Sequence, residues 1–198
     1  MLNLDENFWT TRYQNGYTGW DLGSVSPPLY QYLCQIHNKG LTVLVPGAGN
    51  AHEVAAARDL GIQAIHLLDI ALSPIKNFLE KYPSFPISQV HHEDFFLHEG
   101  RYDLILEQTF FCALDPSLRL AYAKKMFDLL RPGGKLVGVM FDREFPMEGP
   151  PFGGSAKEYR TYFSPFFEFE KFEPCYNSYP ARKGSEIFIS LRKLDIQN

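Results

Sequence analysis

LTVLVPGAGNAHE, Leu41 to Glu53, read together with the HLLD run that ends at Asp69, decides the fold. Leu41 to Val45 is a short run of leucine and β-branched residues, the pattern of a strand buried on both faces. Pro46-Gly47-Ala48-Gly49 breaks that run, and His52 to Leu60 follows a helical pattern stopped by Gly61, a C-cap residue. A second apolar run, Ala64 to Leu68, ends in Asp69. Strand, glycine turn, helix, strand and acid form the first half of a nucleotide-binding α/β fold. The glycines admit a ligand close to the backbone, and an acid at the second strand's tip can accept both hydroxyls of a ribose. A dinucleotide fingerprint needs a third glycine where His52 stands. A pyrophosphate on this helix N-terminus is therefore disfavoured, and an adenosine-type ligand without the diphosphate remains.

Working outward, residues 1–25 hold Phe8, Trp9, Tyr13, Tyr17 and Trp20 among three glycines. A solvated tail does not carry so many rings, so this arm packs on the core edge or on a ligand. Pro27-Pro28 opens a helix to about His37. Beyond Asp69, Ser73 reads as the N-cap of a helix through Lys81, with Pro74 at its first position. Strands follow at 86–91 and at Tyr102 to Glu107, the second leaving through the aromatic loop Gln108 to Leu114. Asp115-Pro116 starts a helix to Leu130, and Arg131 to Gly134 forms a turn before the strand Lys135 to Phe141. A Pro/Gly-rich loop, Arg143 to Ser155, is a candidate lid. A helix from Ala156 to Tyr162 and strands at Phe166 to Tyr176 and Ser185 to Leu194 close the chain. The order predicts one α/β domain over residues 1–198. Its sheet is doubly wound, seven-stranded and mostly parallel, with a C-terminal antiparallel hairpin.

Composition narrows the function. The 198 residues carry 45% hydrophobic and 21% charged side chains, ordinary for a globular domain. The 17 phenylalanines argue for aromatic-lined pockets beyond core packing. A net charge of −4 supplies no basic field for nucleic acid or an anionic membrane, so the expected partner is a small molecule. No apolar run reaches membrane-spanning length, and the polar start MLNLDENFW is wrong for a secretory signal. Three scattered cysteines read as reduced thiols, so the expected location is cytoplasmic. A monomer is expected, with a weak dimer as the alternative.

The pieces FWTTRYQNGYTGWDLG, VLVPGAGNAHEV, LLDIALSPI, HEDFF, YDLILEQTFFCAL, LRPGGKLVGVMF and GPPF together resemble the class I S-adenosylmethionine-dependent methyltransferases. Within them the chain is similar to the thiopurine methyltransferase superfamily, most closely its halide/thiol (thiocyanate) methyltransferase branch. The first and fifth pieces carry most of the resemblance; the RPGG turn is common to many class I members. The resemblance implies a Rossmann-like fold and S-adenosylmethionine as cofactor, with S-adenosylhomocysteine as its product. By position it implies that Trp9, Tyr13 and Trp20 cover the cofactor from the arm and that Gly47 backs its methionine part. It further implies that Asp69 binds the ribose and that Asp94 with Phe95 meets the adenine. Tyr13 stands where the family often has tryptophan, and Gln108, beside the cofactor, stands where plant members tend to carry tyrosine.

Methyl transfer from a sulfonium needs a positioned, desolvated nucleophile and no obligatory base when that nucleophile is soft. The expected acceptor is a thiol, bisulfide, thiocyanate or halide. Phe110, Phe111, Phe141 and Phe152 are the candidate substrate wall, with Arg12 and Arg143 drawing in an anion. Cys112 has no His/Asn partners in the pattern of a thiol nucleophile and reads as buried. His91-His92 lacks metal-ligand spacing, so no metal is expected. The rival readings are a methyltransferase for larger aromatic thiols, a binding module that holds cofactor without turnover, and an NAD-dependent oxidoreductase, which the absent third glycine counts against.

Overall fold

The computed structural model describes residues 4–195. The ends of the expected domain and of its arm, residues 1–3 and 196–198, lie outside the described residues. Seven strands form one sheet: β1 (Val43–Pro46), β2 (Ile65–Asp69), β3 (Val90–His92), β4 (Tyr102–Gln108), β5 (Leu130–Phe141), β6 (Phe167–Pro174) and β7 (Glu186–Lys193). Their order is β3-β2-β1-β4-β5-β7-β6. β1 to β5 run parallel, and β7 inserts antiparallel between β5 and β6. The helices are α1 (Glu6–Gln14), α2 (Pro27–Cys34), α3 (His52–Asp59), α4 (Leu72–Lys81), α5 (Arg119–Leu129) and α6 (Ala156–Phe163). This is the expected doubly wound sheet with its antiparallel C-terminal hairpin.

Alternation along the strands sends side chains to two cores. Val43 and Val45 of β1 join Leu29 and Leu33 of α2, Val54 and Ala57 of α3, and Ile75 and Phe78 of α4. Leu44, between them, joins the opposite core with Tyr122 and Met126 of α5 and Tyr159 and Phe163 of α6. Both faces of the central strands are thus covered, which is why Val43 to Pro46 is apolar without interruption. Strand order reverses direction between β1 and β4, and the carboxyl ends of those two strands open the crevice where α/β sheets bind ligands.

Several local features differ from the sequence expectation. Residues of the aromatic arm form α1, capped by the Asp5 carboxylate, which accepts from the Phe8 N–H at 3.0 Å. Helix α2 stops at Cys34, short of His37. Ser73 is not the cap of α4: the helix begins at Leu72, and its N-cap Ala71 donates its N–H to Asp69 Oδ1 at 2.8 Å. No side chain caps this helix; Asp69 instead closes a tight turn just before it. The strand expected over 86–91 is a 3-10 turn, Ile87–Gln89, followed by the short β3. The Arg131–Gly134 turn is absorbed into β5 as a bulge, since Tyr102 pairs with Leu130 and Leu104 with Lys135.

Candidate active site

The glycine turn after β1 is shaped by what presses on it. Gly47 adopts φ +59°, and a β-carbon there would lie 2.3 Å from the Phe110 ring, so only glycine lets that ring in. Gly49, at φ +53°, faces the Tyr13 hydroxyl in the same way, at 2.6 Å. Asp69 ties the turn to the second strand: its Oδ2 accepts from the Gly49 N–H at 2.8 Å while Oδ1 holds Ala71. The carboxyl is only 7% exposed, and burial raises its pKa against the pull of those backbone N–H groups. Each oxygen keeps a further acceptor position.

The arm lies over this turn. Trp20 packs edge-on against both Trp9 and Tyr13, with centroids 5.5 and 5.6 Å apart. Burial, reinforced by Asp69, pushes the Tyr13 phenol upward, so it stays protonated. Asp21 clamps the arm to the start of α3: His52 Nε2 lies 2.8 Å from Oδ1, and Asn50 donates to Oδ2. The hydrogen bond from His52 is the main reason the Asp21 carboxyl falls to about 2, and Asp21 in turn raises His52. A second tie comes from far along the chain, where Arg182 Nη2 donates to the Trp20 carbonyl at 2.7 Å.

The loop leaving β4 is held by a buried acid. Glu107 is fully buried; Oε1 accepts from the N–H groups of Phe110 at 2.8 Å and Phe111 at 3.0 Å. The Tyr122 hydroxyl donates to its Oε2. Burial pushes the Glu107 carboxyl up to about 7 despite these donors. This grip maintains Thr109 at φ +57°, a strained conformation for a β-branched residue.

These elements enclose a three-lobed chamber at the carboxyl end of the sheet. The central lobe is lined by Trp9, Tyr13, Trp20, Gly47, Asp69 and Phe110, with Cys112, Leu114, Pro150 and Pro151 completing its wall. One side lobe lies between Trp20, Asp21, Gly49, Asn50 and Gln108. The other runs between Asp69, Asp94, Phe95, Phe96 and Phe110. All eight residues expected at the cofactor therefore meet around one space. Asp94 caps its own turn, accepting from the Phe96 N–H at 2.8 Å, and Phe95 packs on Phe110. Both amide atoms of Gln108 are buried without a hydrogen-bond partner. Such orphaned groups await a polar ligand, and the chamber thus fits a ligand with a polar end, a ribose and an aromatic base.

The expected substrate wall is distributed differently. Of its six residues only Phe110 lines the chamber. Phe111 is 2% exposed and packs on Tyr122, Tyr159 and Phe163 in the core. Phe141 stacks edge-on against Phe145 and lies under Arg182. Phe152 folds onto Gly149, and its N–H donates to the Cys112 carbonyl at 2.7 Å, which brings Pro150 and Pro151 rather than its own ring to the chamber. Arg143 covers Phe145, and Arg12 covers Phe8; neither lines the chamber. Cys112 does line it, but burial pushes its thiol up to about 12. The sequence reading also passed over Arg182, Asp21 and Glu107, and only Glu107, a charge inside an apolar strand, carried a visible signal. His92 turns away toward Glu6 and the Ile70 carbonyl, whereas His91 comes to lie with Glu93 and His98.

Residues 4–190 match the family described as Thiopurine S-methyltransferase (TPMT). The probable thiol methyltransferase 2 of Arabidopsis thaliana is 32% identical over 162 residues, 79% of this chain and 71% of that protein. Thiocyanate methyltransferase 1 of Brassica oleracea is 32% identical over 199 residues, 97% of this chain and 87% of that protein. Among solved structures, the 1,6-didemethyltoxoflavin-N1-methyltransferase of Burkholderia thailandensis, with S-adenosylhomocysteine bound, superposes with a TM-score of 0.78. That match covers 96% of this chain and 87% of the other at 17% identity, a likeness of fold. The NAD-dependent reading ends here. The chain belongs to the thiopurine S-methyltransferase family and is an S-adenosylmethionine-dependent S-methyltransferase of the class I fold.

Proposed function

We propose that the acceptor is a small, soft nucleophile: a thiol, bisulfide, thiocyanate or halide. The observation that carries this reading is the lining of the central lobe, where Trp9, Tyr13, Trp20, Phe110, Leu114, Pro150 and Pro151 surround a single carboxylate, Asp69. Among the described residues that line it, Tyr13 and Cys112 both hold their protons tightly. The one carboxylate, Asp69, is engaged by the Gly49 and Ala71 N–H groups, while a polarizable anion, which needs no base, meets a largely aromatic wall.

S-adenosylmethionine, when bound, supplies an activated methyl on a sulfonium whose positive charge also favours an anionic acceptor. Asp69 accepts the ribose hydroxyls with the lone pairs its backbone contacts leave free. Gln108 satisfies its buried amide on the polar amino-acid end, and Asp94 with Phe95 meets the adenine. Trp9, Tyr13 and Trp20 exclude water and offer ring surfaces to the sulfonium. Phe110, seated on Gly47, with Leu114, Pro150 and Pro151 forms the acceptor wall.

Headspace gas chromatography with S-adenosylmethionine and separate bisulfide, thiocyanate, iodide and small-thiol acceptors tests the reading. A volatile methylated product above the enzyme-free control is expected. Turnover of bulky aromatic thiols alone, with silence across the volatile panel, would overturn it in favour of the larger acceptor.

A further inference from the structure

Behind the chamber, folding gathers side chains that methyl transfer does not use. The chain has 6 histidines, and His66 of β2, His91 of β3 and His98 meet beside Glu93 and Tyr102. His98 Nδ1 lies 2.6 Å from Glu93 Oε1, and His98 Nε2 lies 2.7 Å from the Tyr102 hydroxyl. His91 Nε2 lies 2.9 Å from His66 Nδ1, while His91 Nδ1 faces the same Glu93 oxygen at 3.9 Å. One ligand atom from each of His91, Glu93 and His98 falls within 4.8 Å of the others.

We propose that His91, Glu93 and His98 form a binding site for a divalent transition-metal cation of the Zn²⁺ type, held by two imidazole nitrogens and one carboxylate oxygen. Two imidazoles and a carboxylate are a donor set that such borderline cations accept, with water completing the shell. Donors bound at about 2.0–2.2 Å in a tetrahedron stand roughly 3.4 Å apart, so binding opens the 2.6 Å contact between His98 and Glu93 and draws His91 inward from 3.9 Å. The outer contacts have the arrangement that metal-bound histidines use. His91 can donate Nε2–H to His66 and His98 can donate Nε2–H to Tyr102, which leaves both Nδ1 lone pairs directed at the Glu93 side. A hydrogen-bonded network alone accounts for Glu93, His98 and Tyr102. His91 joins them by turning its second nitrogen toward the same carboxylate at 3.9 Å, which makes it the third donor. His98 is 1% exposed and anchors the site, whereas Glu93 reaches the surface and provides an entry path.

The position gives the cation something to do. Asp94, Phe95 and Phe96, which line one lobe of the chamber, lie in the loop between Glu93 and His98. A cation held at both ends of that segment fastens the floor of the lobe without touching the reacting atoms.

The test is titration of the full chain, stripped with EDTA, with ZnCl₂ against a chromophoric chelator, with circular dichroism of every variant. Uptake of one equivalent and a raised thermal midpoint are expected. His91→Gln and Glu93→Gln should each weaken uptake at least about tenfold, and Tyr102→Phe, which removes an outer contact, roughly tenfold. If His91→Gln loses its fold, Glu93→Gln, changed at an exposed side chain, decides. No stoichiometric uptake by the native chain, or affinity unchanged in the folded variants, would overturn the proposal. So would a thiolate charge-transfer band on cobalt substitution, which would assign the ion to the cysteines.

Discussion

Arg182 and Trp20 are joined directly: the guanidinium Nη2 donates to the tryptophan carbonyl at 2.7 Å, linking the turn before β7 to the N-terminal arm. The same guanidinium lies over Phe141 and 3.5 Å from the buried carboxylate of Glu186. Removing Arg182 alone would strand that charge, and the damage to stability would mask the effect on the site. The paired replacement Arg182→Gln with Glu186→Gln removes the charges together. Its affinity for S-adenosylhomocysteine should fall by about 1–2 kcal/mol, measured by calorimetry. A full-strength complex would show that the arm holds without this tie.

Asp69→Asn keeps an acceptor for one of the two backbone N–H groups and removes the charge. Cofactor affinity should weaken by roughly 1.5–3 kcal/mol, the loss expected for charged hydrogen bonds to ribose. Asn is the informative variant, because Ala would leave both the Gly49 and Ala71 N–H groups without their partner. Unchanged affinity would remove Asp69 from the ribose site.

Glu107 sets a pH dependence of stability. Its carboxyl rises from 4.5 to about 7 on folding, because burial outweighs the donors around it. Between those values the folded state binds more protons than the unfolded one, so stability falls as pH rises. The contribution is fully present below 4.5, declines through about 7 and is constant above. Urea unfolding across this window should show a decline of a few kcal/mol that Glu107→Gln lacks. Parallel profiles for the two proteins would sink the assignment.

Cys112 should behave as a spectator. With its thiol pushed up to about 12 and Cys34 exposed, iodoacetamide at mildly alkaline pH should label Cys34 and spare Cys112, read by peptide mass spectrometry. Cys112→Ser should retain methyl transfer within about twofold, since serine preserves the small polar side chain. Loss of turnover in a folded Cys112→Ser would reopen a direct role for the thiol.

The part of the chamber around Gly47 and Asp69 was legible in sequence because it is built from backbone-dictated features. Gly47 and Asp69 sit at fixed offsets from strand ends, and strand ends follow from apolar runs. The arm was legible because Trp9, Tyr13 and Trp20 are too apolar to stay in solvent. The phenylalanines that line the chamber were not, because phenylalanine reads the same in a core and in a pocket. Phe110 and Phe111 are adjacent, and the turn held by Glu107 sends one to the chamber and the other to Tyr159 and Phe163. Pro150 and Pro151 escaped notice because it is the Phe152 N–H, bonded to Cys112, that positions them. The grouping of His91 with His98 was hidden for a related reason, since the loop between them doubles back on itself.

The insertion of β7 between β5 and β6 imposes an order of events on a chain emerging from the ribosome. β6 has no neighbour in the sheet until β7 follows, so a nascent chain ending just after Pro174 carries a strand bearing Phe167, Phe169 and Phe172 with nowhere to pair. Arg182, which fastens the arm, also emerges in that last stretch. The β1–β5 half can assemble early in synthesis, whereas the tie between Arg182 and the Trp20 carbonyl forms only after the turn before β7 has emerged.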